Sequence, residues 1–525
     1  MTGSWALVRL ILRRDRFILP LWVVVFGLLP ITQTSAIAGL YTGEAELRRF
    51  AASMDANPAF TALYGHVLDW NAAALGLWRG GFTPVLVGLA VLLTVIRHTR
   101  AEEETGRREL LGSTVLSRHA GLTSALIVTT AASLVIGLIV LATFAAEYPV
   151  EGALAAGLGY AGTGIVFAAV GALAAQLTEN AGGARGIAIA VLGGAYLLRG
   201  AGDTTDASWL SWLSPVAWPQ RMRPFAGETW WPFALFVALA AALCCAAYLL
   251  AGRRDVAAGL LPPRLGPATA APALAGPFAL AWRLHRGSLL AWTLGFAVLG
   301  VVMGAAANAA MSAMAENKRL LDMLARLGGA SAQSDMFVAA VLGIFGIAVS
   351  GYAVQAVLRM RAEETAQRAE PLLATPATRV AWTASHLVVA VLGPAAVLAV
   401  LGLSLGLTYG LGSGDVGTHL PRVLGASLAQ LPAVWVLAAV ATALFGVLPR
   451  LAAAAWGVLA AFLLFGQLGA LLDLPEAVLD LSPFTHLPRL PGGDPEFTPY
   501  AVLTAIAAVL LAAGVYGFRR RDVAT

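Results

Sequence analysis

The charged side chains best placed to do chemistry are gathered in residues 100–118, RAEEETGRRELLGSTVLSR, and again in residues 361–379, RAEETAQRAEPLLATPATR. Arg100, Ala101, Glu102 and Glu103 match Arg361, Ala362, Glu363 and Glu364. Thr105 and Arg108 match Thr365 and Arg368 one residue closer in the frame, and Arg118 matches Arg379. On a helix, Glu103/Arg107, Glu104/Arg108 and Glu364/Arg368 fall at i, i+4 with the glutamate first, which is the favourable order. Arginines beside apolar runs fix membrane topology, but that role gives no use for three consecutive glutamates. A mixed-charge element written twice predicts a docking surface for a soluble partner, held in register by charge complementarity. Glu103 and Glu364 are expected to be exposed on that surface.

Other chemistries are poorly served. The seven histidines, at 66, 98, 119, 285, 386, 419 and 486, lack the i, i+4 spacing of a helical zinc site, so no metal is expected. Cys244 and Cys245 are adjacent in an apolar run, where neighbours on one helix form no unstrained bridge. Lys318 is the sole lysine and sits in AENKRL. A phosphate-binding P-loop needs lysine within G-x-x-x-x-G-K-[ST], so ATP-driven work would require another subunit. Gly157, Gly159 and Gly162 spell G-x-G-x-x-G, but inside an apolar run rather than after a strand. Those glycines predict close helix packing instead.

The surrounding chain is membrane-like: of 525 residues, 59% are hydrophobic and 12% charged, against about 25% charged in soluble domains. About 20 apolar residues cross the bilayer core. Runs of that kind predict twelve spans, near 17–38, 80–98, 121–146, 153–177, 185–202 and 230–251, then 287–310, 336–357, 381–408, 425–448, 451–472 and 498–517. Residues 1–16 mix Trp5 and aliphatic side chains with four arginines, as in a helix lying in the membrane interface. A signal peptide over residues 1–38 is rejected, because Arg13, Arg16 and Trp22 return 270 positions later as Arg283, Arg286 and Trp292. Of the 34 Lys and Arg residues, 23 fall on the side that holds both termini, which the positive-inside rule places in the cytoplasm. Asp and Glu avoid the middles of all twelve runs, which argues against an ion-coupled carrier or a membrane hydrolase.

The halves match further. Leu213, Ser214 and Pro215 return as Leu481, Ser482 and Pro483, each triplet before the last run of its half. The first lies in a tryptophan-rich segment, and both are expected to form short apolar helices that dip into the outer leaflet, with serine as cap and proline at a first helical position. Arg253-Arg254-Asp255-Val256-Ala257 returns as Arg520-Arg521-Asp522-Val523-Ala524. The fold expected is an all-α polytopic membrane protein: two parallel six-helix repeats related by a pseudo-two-fold axis along the membrane normal. The first half is 1–252 and the second 279–525, joined by a proline-rich cytoplasmic linker over 253–278.

In these features the chain resembles ABC-2 type exporter permeases, most of all the actinobacterial "exporter of polyketide antibiotics" and multidrug efflux group, in which two half-permeases are fused. The resemblance implies a subunit without its own nucleotide site, working with two copies of a separate ATPase that carry ATP and Mg, in the cytoplasmic membrane of a bacterium. It makes the loops after the second span of each half coupling elements, with Glu102, Glu103, Glu104, Arg107, Arg108, Glu363, Glu364 and Arg368 docking on the ATPase. Ser214, Pro215, Ser482 and Pro483 would mark the outer re-entrant segments. Gln367 standing in place of Arg107, with Pro371 and Pro376, implies two unequal docking sites. The substrate implied is a hydrophobic antibiotic or drug-like molecule, with a lipid second and no nucleic acid as partner. The alternative is a membrane scaffold or sensor that recruits a cytoplasmic protein and transports nothing.

Overall fold

Long apolar runs satisfy their backbone groups in lipid only as helices or closed barrels. The computed structural model is all-α among its described residues, which are 3–41, 43–56, 58–107, 116–255, 258–261, 268–269, 274, 276–315, 330–468, 475–493 and 496–522. It divides into two compact units, Met1–Gly266 and Pro267–Thr525. Eleven helical stretches among the described residues are long and apolar enough to cross a bilayer, two of which, 83–104 and 416–447, join consecutive helices.

In the first unit α1 (Ser4–Arg14) precedes α2 (Ile18–Leu40), and three shorter helices follow: α3 (Glu44–Asp55), α4 (Pro58–Tyr64) and α5 (Ala72–Arg79). Four long helices come next, α6 (Thr83–His98), α8 (Ala120–Ala145), α9 (Val150–Leu177) and α10 (Ala181–Thr204), with the one-turn α7 (Arg100–Glu104) between the first two. Two four-residue helices, α11 (Trp209–Trp212) and α12 (Trp218–Arg221), lead to the last long one, α13 (Pro232–Arg253). Asn180 starts α10 by accepting the Gly183 N–H at 2.6 Å, the usual service of an Asn N-cap.

Helix α9 is the axis of this unit, with 83% of its apolar window buried. Its small residues allow that position. A Cβ on Gly157 would lie 2.5 Å from the Gly137 carbonyl oxygen, one on Gly159 would lie 2.9 Å from Pro219, and one on Gly162 would lie 2.7 Å from the Phe236 ring. The false nucleotide motif is thus a packing stripe on three sides of one helix.

The second unit runs α14 (Pro277–Ala315), α15 (Ala330–Thr365), the short α16 (Ala369–Leu373), α17 (Arg379–Ser413), α18 (Val416–Leu428) and α19 (Leu431–Val447). It closes with α20 (Ala454–Leu468), α21 (Glu476–Leu479) and α22 (Phe497–Arg520). Its core gathers Tyr352, Trp382, Leu401, Leu437 and Phe445 from three of these helices. Of the twelve expected runs, the one near 451–472 is described as a helix over 15 residues, Ala454–Leu468, and its remainder, residues 469–474, lies outside the described ones.

The Leu-Ser-Pro segments differ from the re-entrant helices expected of them. The four residues of α11, α12 or α21 rise only about 6 Å along a helix axis. Ser214 caps no helix: its Oγ donates to the Ala195 carbonyl at 2.6 Å, and its own carbonyl accepts the Ala217 N–H at 3.0 Å. The Ser482 carbonyl likewise accepts the Thr485 N–H at 3.3 Å. Serine first and proline second is the sequence of a type I or II turn, and that is the role Pro215 and Pro483 fill.

Candidate functional site

The loop after α6 begins at a break. Thr99 leaves helical geometry with φ −119° and ψ −84°, and α7 restarts for one turn. At the end of that turn the Gly106 N–H bonds the Glu103 carbonyl at 3.0 Å while Gly106 adopts φ 69°. In the second unit α15 continues without a break through Thr365, and the Gln367 N–H bonds the Glu364 carbonyl at 2.9 Å with φ 56°. The backbone therefore matches Gln367 to Gly106 and Arg368 to Arg107. The gap placed after Glu103 in the sequence comparison is unnecessary as far as Arg107, and Gln367 does not stand in place of Arg107. A left-handed glutamine pays the Cβ clash that glycine avoids.

The glutamates point inward. Glu103 is 6% exposed and Glu364 is 1% exposed, against the exposed placement expected of both. The reason is charge. Glu103 lies 3.0 Å from Arg100 and takes a bidentate pair from Arg254, at 2.9 and 3.0 Å. Glu364 lies 2.9 Å from Arg361 and takes a bidentate pair from Arg521, at 2.5 and 2.9 Å. A carboxylate leaves water at this cost only when paired, and two guanidinium groups do that in each unit, with hydrogen bonds to both oxygens of Glu364 and to Oε1 of Glu103, whose Oε2 is held at ion-pair distance. Arg254 and Arg521 were legible only as the repeated RRDVA. No spacing rule joins them to a loop more than 150 residues earlier.

The far end of each loop closes on the same arginine. Arg118 donates to the Arg254 carbonyl, and Arg379 donates to the Arg521 carbonyl at 2.6 Å. Arg254 and Arg521 are the residues directly after α13 and α22, both in extended conformation. Arg254 also donates from Nε to Gln176 at 2.8 Å. Arg521 lies 5.0 Å from the rings of both Phe445 and Phe518. Arg100 turns back on the C-terminal end of α9, donating to the Ala175 carbonyl at 2.8 Å from Nε and 2.5 Å from Nη2. Orphan carbonyls at a helix C-terminus favour this kind of cationic partner.

The remaining candidates divide by unit. Glu102 accepts from Arg14 at 2.5 Å and lies 3.7 Å from Arg107, so it ties α1 to the loop. Asp15, which follows α1, is buried against His98 at 2.6 Å and Arg97 at 3.2 Å. Glu104 caps α10 by accepting the Ala181 N–H at 2.9 Å. Glu363 pairs with Arg359 at 2.9 Å and Arg368 at 2.7 Å. The i, i+4 pairs Glu103/Arg107 and Glu364/Arg368 are thus replaced by contacts with other helices, and Glu363 takes Arg368 across the left-handed turn. Arg108 lies outside the described residues, and with it the Glu104/Arg108 pair. Among the described candidates, charge that still faces outward belongs to Glu104, to Arg107, whose side chain is 57% exposed, and to Arg368, at 59%. Sequence spacing also missed His285 and His386, whose ring nitrogens meet at 2.9 Å. They lie 101 residues apart in the chain, so nothing local signals the pair.

Two comparisons with known proteins fit this architecture. The family model "Multidrug efflux system permease Rv1217c, C-terminal domain" matches residues 274–519, which fall within the second unit. The whole chain is similar to the "Multidrug efflux system permease protein Rv1217c" of Mycobacterium tuberculosis (strain ATCC 25618 / H37Rv), with 44% identity over 524 residues, covering 99% of this chain and 95% of the relative. An all-α protein with eleven candidate spans among its described residues, matched along its full length to such a permease, belongs to the multidrug efflux permease family of Rv1217c.

Proposed function

We propose that this chain is the membrane subunit of an ABC-2 type exporter, moving hydrophobic antibiotic or drug-like molecules out of the cell on ATP hydrolysed by two copies of a separate subunit. The observation that carries the proposal is that each unit staples both ends of a charged loop to the end of its last helix, leaving Arg107 and Arg368 outward. A loop made stiff at its base and charged at its surface suits a soluble partner that pushes on it. The relative's name, a multidrug efflux permease, supports the transported class. The single lysine, outside any P-loop pattern, supports the reading that ATP and Mg belong to the partner. Spans without acidic residues at their middles suit an apolar cargo, since fixed charge in the bilayer is costly. Both termini and both loops then face the cytoplasm, in the cytoplasmic membrane of a bacterium.

Docking in this reading rests on Glu104, Arg107 and Arg368, with Glu103 and Glu364 shaping the loops from beneath. The test reconstitutes the permease with its ATPase in liposomes and titrates hydrophobic drugs against hydrolysis. An exporter requires a substrate-dependent rate. A rate indifferent to every drug, with the partner still bound, would leave only recruitment and contradict transport.

A further inference from the structure

Each unit contains a buried carboxylate gripped by two arginines, one from its own loop and one from beyond the last helix. We infer that Glu103–Arg254 and Glu364–Arg521 are mechanical latches that make the last helices, α13 and α22, the elements that loop movement drives. This rests on the coupling role proposed for the loops, and it assigns positioning roles to Arg254 and Arg521, which touch no part of the proposed docking surface.

Geometry carries the inference. Both nitrogens of each guanidinium fork face both carboxylate oxygens, through two hydrogen bonds at Glu364 and through one hydrogen bond and one ion-pair contact at Glu103, so the grip resists rotation as well as separation, which a single contact to a point charge does not. The same arginine is held at a second point through its backbone carbonyl, by Arg118 in one unit and Arg379 in the other. A side chain and a main-chain oxygen of one residue are thus fixed to the two ends of one loop. That residue is the first after the helix, so no slack intervenes between latch and helix. The aromatic stack on Arg521 and the Gln176 bond to Arg254 hold each guanidinium in its plane. Elsewhere the loops are attached differently: the first is tied to α1 through Glu102, to α9 through Arg100 and to α10 through Glu104, while in the second Glu363 pairs with Arg359 and Arg368. The contact common to both is the one to the last helix.

The test uses the full permease–ATPase complex with Arg254→Lys and Arg521→Lys, singly and together, which keep the charge and lose the fork. The latch predicts that ATPase still co-purifies at the wild-type ratio and that the melting temperature of the permease barely moves. Drug stimulation of hydrolysis drops about tenfold in the double variant, the scale of losing a hydrogen bond to a charged group. Wild-type stimulation with the variants bound overturns the latch and leaves the docking reading standing. Failure of the wild-type chain to bind any ATPase overturns the docking reading itself. If the lysine variants do not accumulate, hydrogen exchange in the wild-type complex decides. Addition of a non-hydrolysable ATP analogue must change protection at residues 250–255 and 517–522 together with the loops. Change confined to the loops contradicts the latch.

Discussion

At the scale of single residues, the buried glutamates and the exposed charges are expected to behave in opposite ways. Glu103→Gln or Glu364→Gln leaves two arginines facing a neutral amide, and breaking a buried pair of this kind costs about 3 kcal/mol. Thermal unfolding in detergent reads that as a clearly lowered transition for either variant. Arg107→Glu and Arg368→Glu change exposed side chains, where loss of an ion pair costs within about 1 kcal/mol. They should melt like the parent while losing affinity for the ATPase in a pull-down. Equal melting of all four variants would remove the distinction between frame and surface. The sequence could not draw this line, because Glu103 differs from Glu104 only in what reaches it from residues 100 and 254. The pairing of Arg100 with Glu103 is local and legible, whereas Arg254 arrives from the end of another helix.

At the scale of elements, the turn after each acidic cluster supplies a backbone test. Gln367 holds φ 56° where the first unit uses Gly106 at φ 69°. Gln367→Gly should raise stability by about 1 kcal/mol and Gly106→Ala should lower it by a similar amount, both read from the same melts. Packing gives a second test. Gly157→Ala would put a methyl 2.5 Å from the Gly137 carbonyl oxygen, an overpacked contact worth about 1–3 kcal/mol, while Gly186→Ala meets nothing within 4 Å and should be harmless. Long helices were the most legible feature of the chain, since apolar length alone dictates them. The run near 451–472 is described as helix α20 only to Leu468, and its end lies outside the described residues. Leu-Ser-Pro was legible as a repeat but not as a turn. Its serine bonds the Ala195 carbonyl on a neighbouring helix, a partner that only the folded chain reveals.

At the scale of the whole molecule, composition and apolar runs dictated an all-α membrane protein, and kinship with the Rv1217c permease extends over 99% of the chain. The proposed motor is a separate subunit, so its presence is the claim on which the account turns. The most direct measurement is the stoichiometry of the complex purified after co-expression of the permease with the genes beside it. The account predicts an ATP-hydrolysing subunit at two copies per permease, with hydrolysis that rises on addition of a hydrophobic drug. A permease that emerges alone, with no P-loop protein encoded beside it, would contradict the account at its centre.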